Sequence, residues 1–443
     1  MSKLKTYKFS NLYEMSSGIS SKPEQAGHGS PFLSFSSVFN NYFLHEDLPD
    51  LMDTSDKEQE VYSINEGDIF LTRTSETLDE LGMSSVAVKA YPNASFSGFL
   101  KRLRPTQSNI TYPKFMAFYL RSKLFRKVMT NNAIMTLRAS LNEQIFSYLE
   151  LILPEYDEQK KVGDFLYAIN QKIELNNKIN TELEAMAKLI YNYWFVQFDF
   201  PNAKDKPYKS SGGKMVWSEE LKMEIPEGWK SGTLNDLGEI IGGSTPPREI
   251  DEYFSSNGTA WITPKDLSLN RGNKFITKGE LDVSDKGIKT ASLNIMPKGT
   301  ILLSTRAPIG YLAISRENVT TNQGFKSFVL SKGYSSEFVY YMVKNMIPAI
   351  EKNAVGSTFK EVSATTLKTI PVCLPTSIIR TKYQETVESI FTKQDILELE
   401  NQKLSELRDW LLPMLMNGQV KVGDVEQELA MAAEPEAVYK KRK

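Results

Sequence analysis

A chain of 443 residues is too long for one ordinary hydrophobic core, so two domains of about 150 to 200 residues with connecting elements are expected. With 41% hydrophobic and 24% charged residues, no apolar run of about 18 residues and no apolar leader in MSKLKTYKFSNLYEM, neither a membrane span nor export is expected. One cysteine, Cys373, and two histidines, His28 and His45, argue against an internal disulfide, a cysteine- or histidine-rich metal site and a Ser-His-Asp triad, so no catalytic or metal-binding residue is expected and a reducing cytoplasm fits.

The net charge of -1 is uninformative about partners, but its distribution is not. Residues 1–154 open the chain with a mixed pattern of short strands and helices. Ile64-Asn-Glu-Gly67-Asp-Ile-Phe-Leu-Thr-Arg73 reads as a turn, a buried strand and an arginine at the strand exit. From Leu81 to Asn142 there is no Asp or Glu, whereas Lys89, Lys101, Arg102, Arg104, Lys114, Arg121, Lys123, Arg126, Lys127 and Arg138 all fall in that window. Within it follow Ser97-Gly98-Phe99, an amphipathic helix start at Phe115-Met-Ala-Phe-Tyr-Leu and a polar loop from Asn131 to Ser140; an apolar strand then ends at Leu153-Pro154.

Residues 155–198 carry a heptad stripe. Val162, Ile169, Asn176, Leu183 and Ile190 recur every seven residues, with Leu166, Ile173, Asn180, Ala187 and Trp194 in the companion row. Asp157-Glu158-Gln159-Lys160 is a charged helix start, where acids favour the helix dipole. Residues 199–232, rich in Pro, Gly, Ser and Lys, punctuate the chain as a domain boundary does.

Residues 233–375 repeat the first pattern. Met296-Pro-Lys-Gly299-Thr-Ile-Leu-Leu-Ser-Thr-Arg306 resembles the Gly67 segment with one extra residue before the arginine, and Gln323-Gly324-Phe325 matches Ser97-Gly98-Phe99. Phe338-Val-Tyr-Tyr-Met-Val, the loop from Asn353 to Ser363 and the strand ending at Leu374-Pro375 complete the second copy. A second acid-free window runs from Lys286 to Arg316 and holds Lys286, Lys289, Lys298, Arg306 and Arg316, so basic surface is expected there as well. The glycine-rich turn GGSTPP lacks the following helix and lysine of a phosphate cradle. In residues 376–418 a second stripe, Ile390, Leu397, Leu404 and Leu411, runs beside Val387, Gln394 and Asn401, and the acidic, alanine-rich tail from 419 has too little apolar surface to fold.

Both stripes are narrow, long and interrupted by Asn or Gln, which suits a paired antiparallel coiled coil; two core helices of a bundle are the alternative. The resulting fold class is α+β: two repeated α/β domains separated by two long helices that form an antiparallel coiled coil with pseudo-twofold symmetry. Concentrated cations suggest double-stranded DNA, gripped through phosphates and read at base edges. The candidate contacts are Arg73, Lys101, Arg102, Arg104, Arg121, Lys123, Arg126, Lys127 and Arg138 in the first copy, and Lys265, Arg306, Gln323, Lys326 and Lys360 in the second. An ordinary solvated side chain is the alternative at each.

Each half resembles a target-recognition domain of a type I restriction-modification specificity subunit. "EGDIFLTR" and "KGTILLSTRAPIG" are similar to its central strand motif and "TNQGFKSF" to the strand that follows. "LELILPEYDEQKKVGDFLYAINQKIELNN" and "IPVCLPTSIIRTKYQETVESIFTKQDILELENQ" resemble its Leu-Pro junction and spacer helix, and "SEELKMEIPEGWKSGTLNDL" the entry to a second domain. The resemblance implies a bipartite DNA target, two modification (methyltransferase) subunits docked on the helices and restriction (translocase and nuclease) subunits joining them. S-adenosylmethionine, ATP and magnesium would come with those partners, and none would be bound by this chain. The first copy departs from the pattern, since Arg73 is followed by "TSETLDELG" in place of "APIG", which leaves open whether Arg73 and Arg306 are equivalent. A stand-alone DNA methyltransferase or nuclease is the alternative function, against which stands the absence of an Asn/Asp-Pro-Pro-aromatic motif and of a Walker A loop. A coiled-coil adaptor without DNA would explain the helices but not the repeated domains.

Overall fold

The structure, a computed structural model, describes residues 4–20, 22–75, 80–132, 134–135, 139–140, 143–306, 308–356, 360–425 and 427. It divides into two compact units, Met1–Glu174 with Gln402–Lys443, and Leu175–Asn401. Each holds one α/β domain together with part of both long helices.

In the first unit an antiparallel sheet runs in the order Tyr13–Ser17, Leu100–Pro105, Ile69–Thr72, Ser84–Val86. The strand Ile69–Thr72 is buried along its whole length because side chains alternate between two cores. Ile69 and Leu71 pack with Phe115 to Leu120 of the following helix, whereas Phe70 packs with Phe96, Leu33 and Leu100 on the opposite face. The second face is completed by the small sheet Asp50–Met52, Ala26–Leu33, Ser95–Phe96. Lys5–Lys8 pairs with Glu150–Leu153 to close the domain just before the first long helix.

The second unit repeats this plan. Its main sheet runs Glu239–Gly242, Lys326–Val329, Ile301–Thr305, Ile309–Ser315, Phe275–Ile276, and Lys230–Thr233 pairs with Pro371–Leu374 to close the domain. Ile301 and Leu303 face one core and Leu302 the other, as in the first unit. Gly67 and Gly299 enter the matching central strands with φ of +86° and +82°, a conformation that costs a residue with a Cβ. The edge strand Phe275–Ile276, parallel to Ile309–Ser315, is matched in the first unit by a shorter parallel pairing of Phe43 with Val86.

Strand register corrects the sequence alignment of the two copies. Ile69 lies opposite Leu103 and Ile301 opposite Phe328, so Lys101 corresponds to Lys326, Leu100 to Phe325 and Phe99 to Gly324. The Gly98–Gly324 match is therefore one residue out of step. Arg73 corresponds to Thr305, and Arg306 to Thr74: the two arginines are not equivalent.

The long helices span Tyr156–Tyr191, continued by a wider turn at Asn192–Val196, and Ser377–Met416. At 36 and 40 residues they are about 54 and 60 Å long. Gln159 fixes the start of the first: its amide donates to the carbonyls of Pro154 and Ile110, and its oxygen accepts from the Tyr112 N–H. Within the second unit Asn176 donates to Asn401 at 2.9 Å, Asn401 donates to Asn177 at 2.7 Å, and Gln394 donates to the Asn180 carbonyl at 3.4 Å. Numbers rise on one helix as they fall on the other, so the pair is antiparallel there, with its amides meeting one another. Val162, Leu166 and Leu411 share the first unit's core. Ile169, Ile390 and Leu397 are buried, and Ile173, Leu183, Ile190 and Leu404 are half-buried. The segment between the copies is built rather than loose: Met215–Ser218 pairs with Met223–Pro226, and Phe200 stacks on Trp229 at 5.2 Å.

Candidate nucleic-acid interface

The second unit gathers functional groups where its central strands end. The turn after Glu239–Gly242 folds against the 321–324 turn, with Ser244 donating to the Thr321 carbonyl at 3.0 Å and Trp261 Nε1 to the Ser244 carbonyl at 3.1 Å. Gly243 permits this approach, since a Cβ there would lie 2.1 Å from the Asn322 oxygen. The 321–324 turn is tied back by Thr305 N–H to the Gly324 carbonyl at 2.8 Å and by Gly324 N–H to Asn322 Oδ1 at 2.9 Å. Thr245 hydrogen-bonds the exposed Gln323.

These segments enclose an open cleft of about 450 Å³ bordered by Arg248, Trp261, Lys265, Arg306 and Asn322. The buried Trp261 ring carries the Arg248 guanidinium 5.5 Å from its centre. Lys265 pairs with Glu280 at 2.7 Å, and that hydrogen bond holds the ammonium above its ordinary pKa and the carboxyl below its own. Arg306 lies 3.8 Å from Glu361. Both pairs are solvent-exposed and worth little to the fold, so either cation can turn to a phosphate at small cost. Lys326 is half-buried, and burial pulls its ammonium pKa down with help from Arg306. Lys360 is exposed nearby in the chain, next to Glu361.

In the first unit the equivalent strand exit carries the exposed Arg73, whose N–H donates to the Phe99 carbonyl at 2.9 Å. Lys101 is buried, with its ammonium 2.7 Å from Ser17 Oγ. Lys123 and Lys127 are exposed on the helix Lys123–Asn132. Arg138 lies outside the described residues.

Several arginines of the acid-free window serve the interior. Arg121 donates to the carbonyls of Ser84, Val38, Phe39 and Asn41 at 2.7 to 2.9 Å, and burial pushes its guanidinium down to about 10. Arg102 is buried against Phe96 and donates to Ser63 O at 2.7 Å. Arg104 forks onto the buried Asp68 at 2.8 and 2.6 Å, and Arg126 donates to the Leu81 carbonyl at 2.5 Å. Loop carbonyls inside a domain need donors, and a guanidinium with five N–H groups satisfies several at once. Sequence counts cannot separate that use from a basic surface. Arg102, Arg104, Arg121 and Arg126, expected as DNA contacts, thus have hydrogen-bond partners inside the domain.

The second acid-free window behaves similarly at its ends. Lys286 pairs with Glu252. Arg316 is buried and pairs with Asp395 and, at 2.9 Å, with Glu398 of the second long helix. Glu398 also accepts the backbone N–H groups of Lys274 at 2.7 Å and Phe275 at 3.0 Å. Burial outweighs these partners and pushes its carboxyl up to about 6. Lys274 bonds Glu184 of the first long helix at 2.8 Å and Gln394 of the second at 2.7 Å, yet burial pulls its ammonium down to about 8. Burial would raise Glu184, but the ammonium groups of Lys274 and Lys344 together hold it at about 2. The edge strand Phe275–Ile276 and the Lys274 before it thus clamp the second domain to both helices.

Sequence reasoning missed Arg248, Trp261 and this clamp. Only the paired glycines before Ser244 hinted that a turn had to pass close to other backbone. Among the described residues no acidic, histidine or cysteine cluster could hold a metal ion, and no helix is long and apolar enough to cross a membrane.

The family described as type I restriction modification DNA specificity domain matches residues 5–185 and 226–409, the two repeats in turn. The MjaIX specificity subunit of Methanocaldococcus jannaschii is 39% identical over 196 residues, covering 43% of this chain and 44% of that protein. The HindI specificity subunit of Haemophilus influenzae is 26% identical over 452 aligned positions, covering 88% of this chain and 94% of that one. Among solved structures, the S subunit of a type I restriction-modification system from M. genitalium shares the fold with a TM-score of 0.58 at 12% identity, over 94% of this chain and 96% of that one.

Proposed function

Since the chain belongs to the type I restriction-modification DNA specificity family and is a DNA sequence-specificity subunit with two recognition domains, we propose that each domain reads one half of a bipartite target through the face at its central strand exit. The observation that carries this reading is the duplicated face itself. Each unit brings the turn after one outer strand, the exit of the central strand and a turn that links two sheets to one place, and each presents an exposed arginine there.

In this reading the chain makes and breaks no bond of its own. It docks two modification subunits and, through them, restriction subunits; S-adenosylmethionine, ATP and magnesium are bound by those partners. The paired helices act as the spacer between readers, a role supported by their length and by the asparagine contacts that set their register. Neither a stand-alone methyltransferase or nuclease nor a DNA-free adaptor is favoured by any of the matches.

The test is an exchange of residues 1–154 for the equivalent segment of a relative with another target, followed by sequencing of methylated positions in the host genome. One half of the target is expected to change while the other stays. Change in both halves, or in neither, refutes the modular assignment.

A further inference from the structure

The two reading faces differ chemically at their tips. Where the second domain has Gly324, strand register places Phe99 in the first. The Phe99 ring is 66% exposed, while the next residue, Leu100, is fully buried. This exposure does not come from a loose loop. Arg73 N–H holds the Phe99 carbonyl at 2.9 Å, Gly98 N–H donates to Ile19 O at 2.7 Å, and Phe99 N–H donates to Ser97 Oγ at 3.3 Å. Gly98 is itself pressed against the neighbouring turn, since a Cβ would meet Ile19 O at 2.8 Å. The backbone is therefore pinned on both sides of a ring that projects outward.

Arg73, whose N–H holds the Phe99 carbonyl, is exposed at the same strand exit. An apolar ring held rigidly next to an exposed arginine suits a surface that phosphates draw onto DNA. On the major-groove edges of base pairs the apolar group available to it is the 5-methyl of thymine. At the same place the second domain offers no side chain, and its cleft is lined by hydrogen-bonding groups of both signs, Arg248, Lys265, Arg306 and Asn322 with Asp266 and Glu280.

Resting on the DNA-reading role of this face, we propose that Phe99 is a specificity-determining residue of the first half-site and packs on the 5-methyl group of one thymine. The two halves of the target are then read by different chemistry, apolar contact in one and hydrogen bonding in the other.

The experiment uses the complete complex and duplexes carrying its methylated sequence, with each thymine of the first half-site replaced in turn by deoxyuridine. Loss of one buried methyl group corresponds to about fourfold weaker binding. One position is expected to show that loss with the wild-type chain. With Phe99→Ala, binding to the thymine duplex falls by at least that factor and the thymine-deoxyuridine difference vanishes; Phe99→Leu keeps part of it. Thermal unfolding of both variants is expected to match wild type, since the ring is exposed. Indifference to every deoxyuridine, an undiminished difference in Phe99→Ala, or a first half-site without thymine overturns the proposal while leaving the DNA-reading role intact. Loss of all preference for the target over a scrambled duplex would instead overturn that role.

Discussion

Replacing Glu398 tests whether the clamp between the second domain and its helices is a structural necessity. The carboxylate is 5% exposed and accepts three donors: Lys274 N–H at 2.7 Å, Phe275 N–H at 3.0 Å and Arg316 at 2.9 Å. Glu398→Ala leaves two backbone N–H groups and part of a buried guanidinium without an acceptor. Removing one partner of a buried pair costs about 3 to 5 kcal/mol, which for a unit of this size is a fall of roughly 6 to 20 °C in Tm. Glu398→Gln behaves differently. Glutamine keeps one acceptor oxygen but turns its NH2 toward the donors of the other, so it is expected to cost less than alanine, about 1 to 3 kcal/mol.

The upward push of burial on the Glu398 carboxyl, from 4.5 to about 6, gives a pH signature. The folded state holds this proton more tightly than the unfolded chain between pH 4.5 and 6, so the group's contribution is present below 4.5 and is lost as pH rises through 6, by about 2 kcal/mol. Neither variant should retain that component. Calorimetry and urea unfolding at pH 4.5, 6 and 7 check both claims. An alanine variant within about 1 kcal/mol of wild type, or a glutamine variant as unstable as alanine, would show that the clamp does not bear on stability as argued.

Two further substitutions separate interior arginines from reading arginines. Arg121→Met strips donors from four carbonyls and is expected to destabilise the first unit by about 3 kcal/mol in urea unfolding, with the methylated sequence unchanged at permissive temperature. Altered target choice with unaltered stability would reverse the assignment. Arg306→Ala, at an exposed position, should move stability by less than about 0.5 kcal/mol while weakening DNA binding. A salt slope shallower by about 0.9 marks a phosphate contact, and loss of discrimination at one base pair marks a base contact; unchanged affinity at every salt concentration removes Arg306 from the interface.

The repeat, the central strands and both helices were legible because burial imposes periodic patterns on sequence. Ile69, Phe70 and Leu71 form an apolar run since the strand has a core on each face. The Asn and Gln interruptions announced antiparallel register contacts that are present in the second unit. The face was less legible, because charge does not reveal direction. Arg121 and Lys123 lie two residues apart in one basic stretch, yet one satisfies buried carbonyls and the other is exposed. Trp261 carries no pattern that marks it in sequence, because it is a core residue whose ring also lines the cleft beneath Arg248.

Conservation of plan and divergence of tip follow from the same geometry. Lys101 and Lys326 occupy one register position, paired with Ser17 and Gly242 on the neighbouring strand, and Leu100 and Phe325 both fill the core behind them. Changing these would disturb two layers of packing at once. The adjoining position, Phe99 or Gly324, contributes its backbone carbonyl to the strand exit in both copies, accepting from Arg73 in one and Thr305 in the other. Since the hydrogen bond comes from the backbone, it does not dictate the side chain: the first copy projects an aromatic ring, whereas in the second a Cβ would press on Asn322 Oδ1 at 3.0 Å and on Pro264 at 3.2 Å. A duplicated scaffold that holds its turn by main chain can therefore present different groups at one register position, and two copies need not read alike.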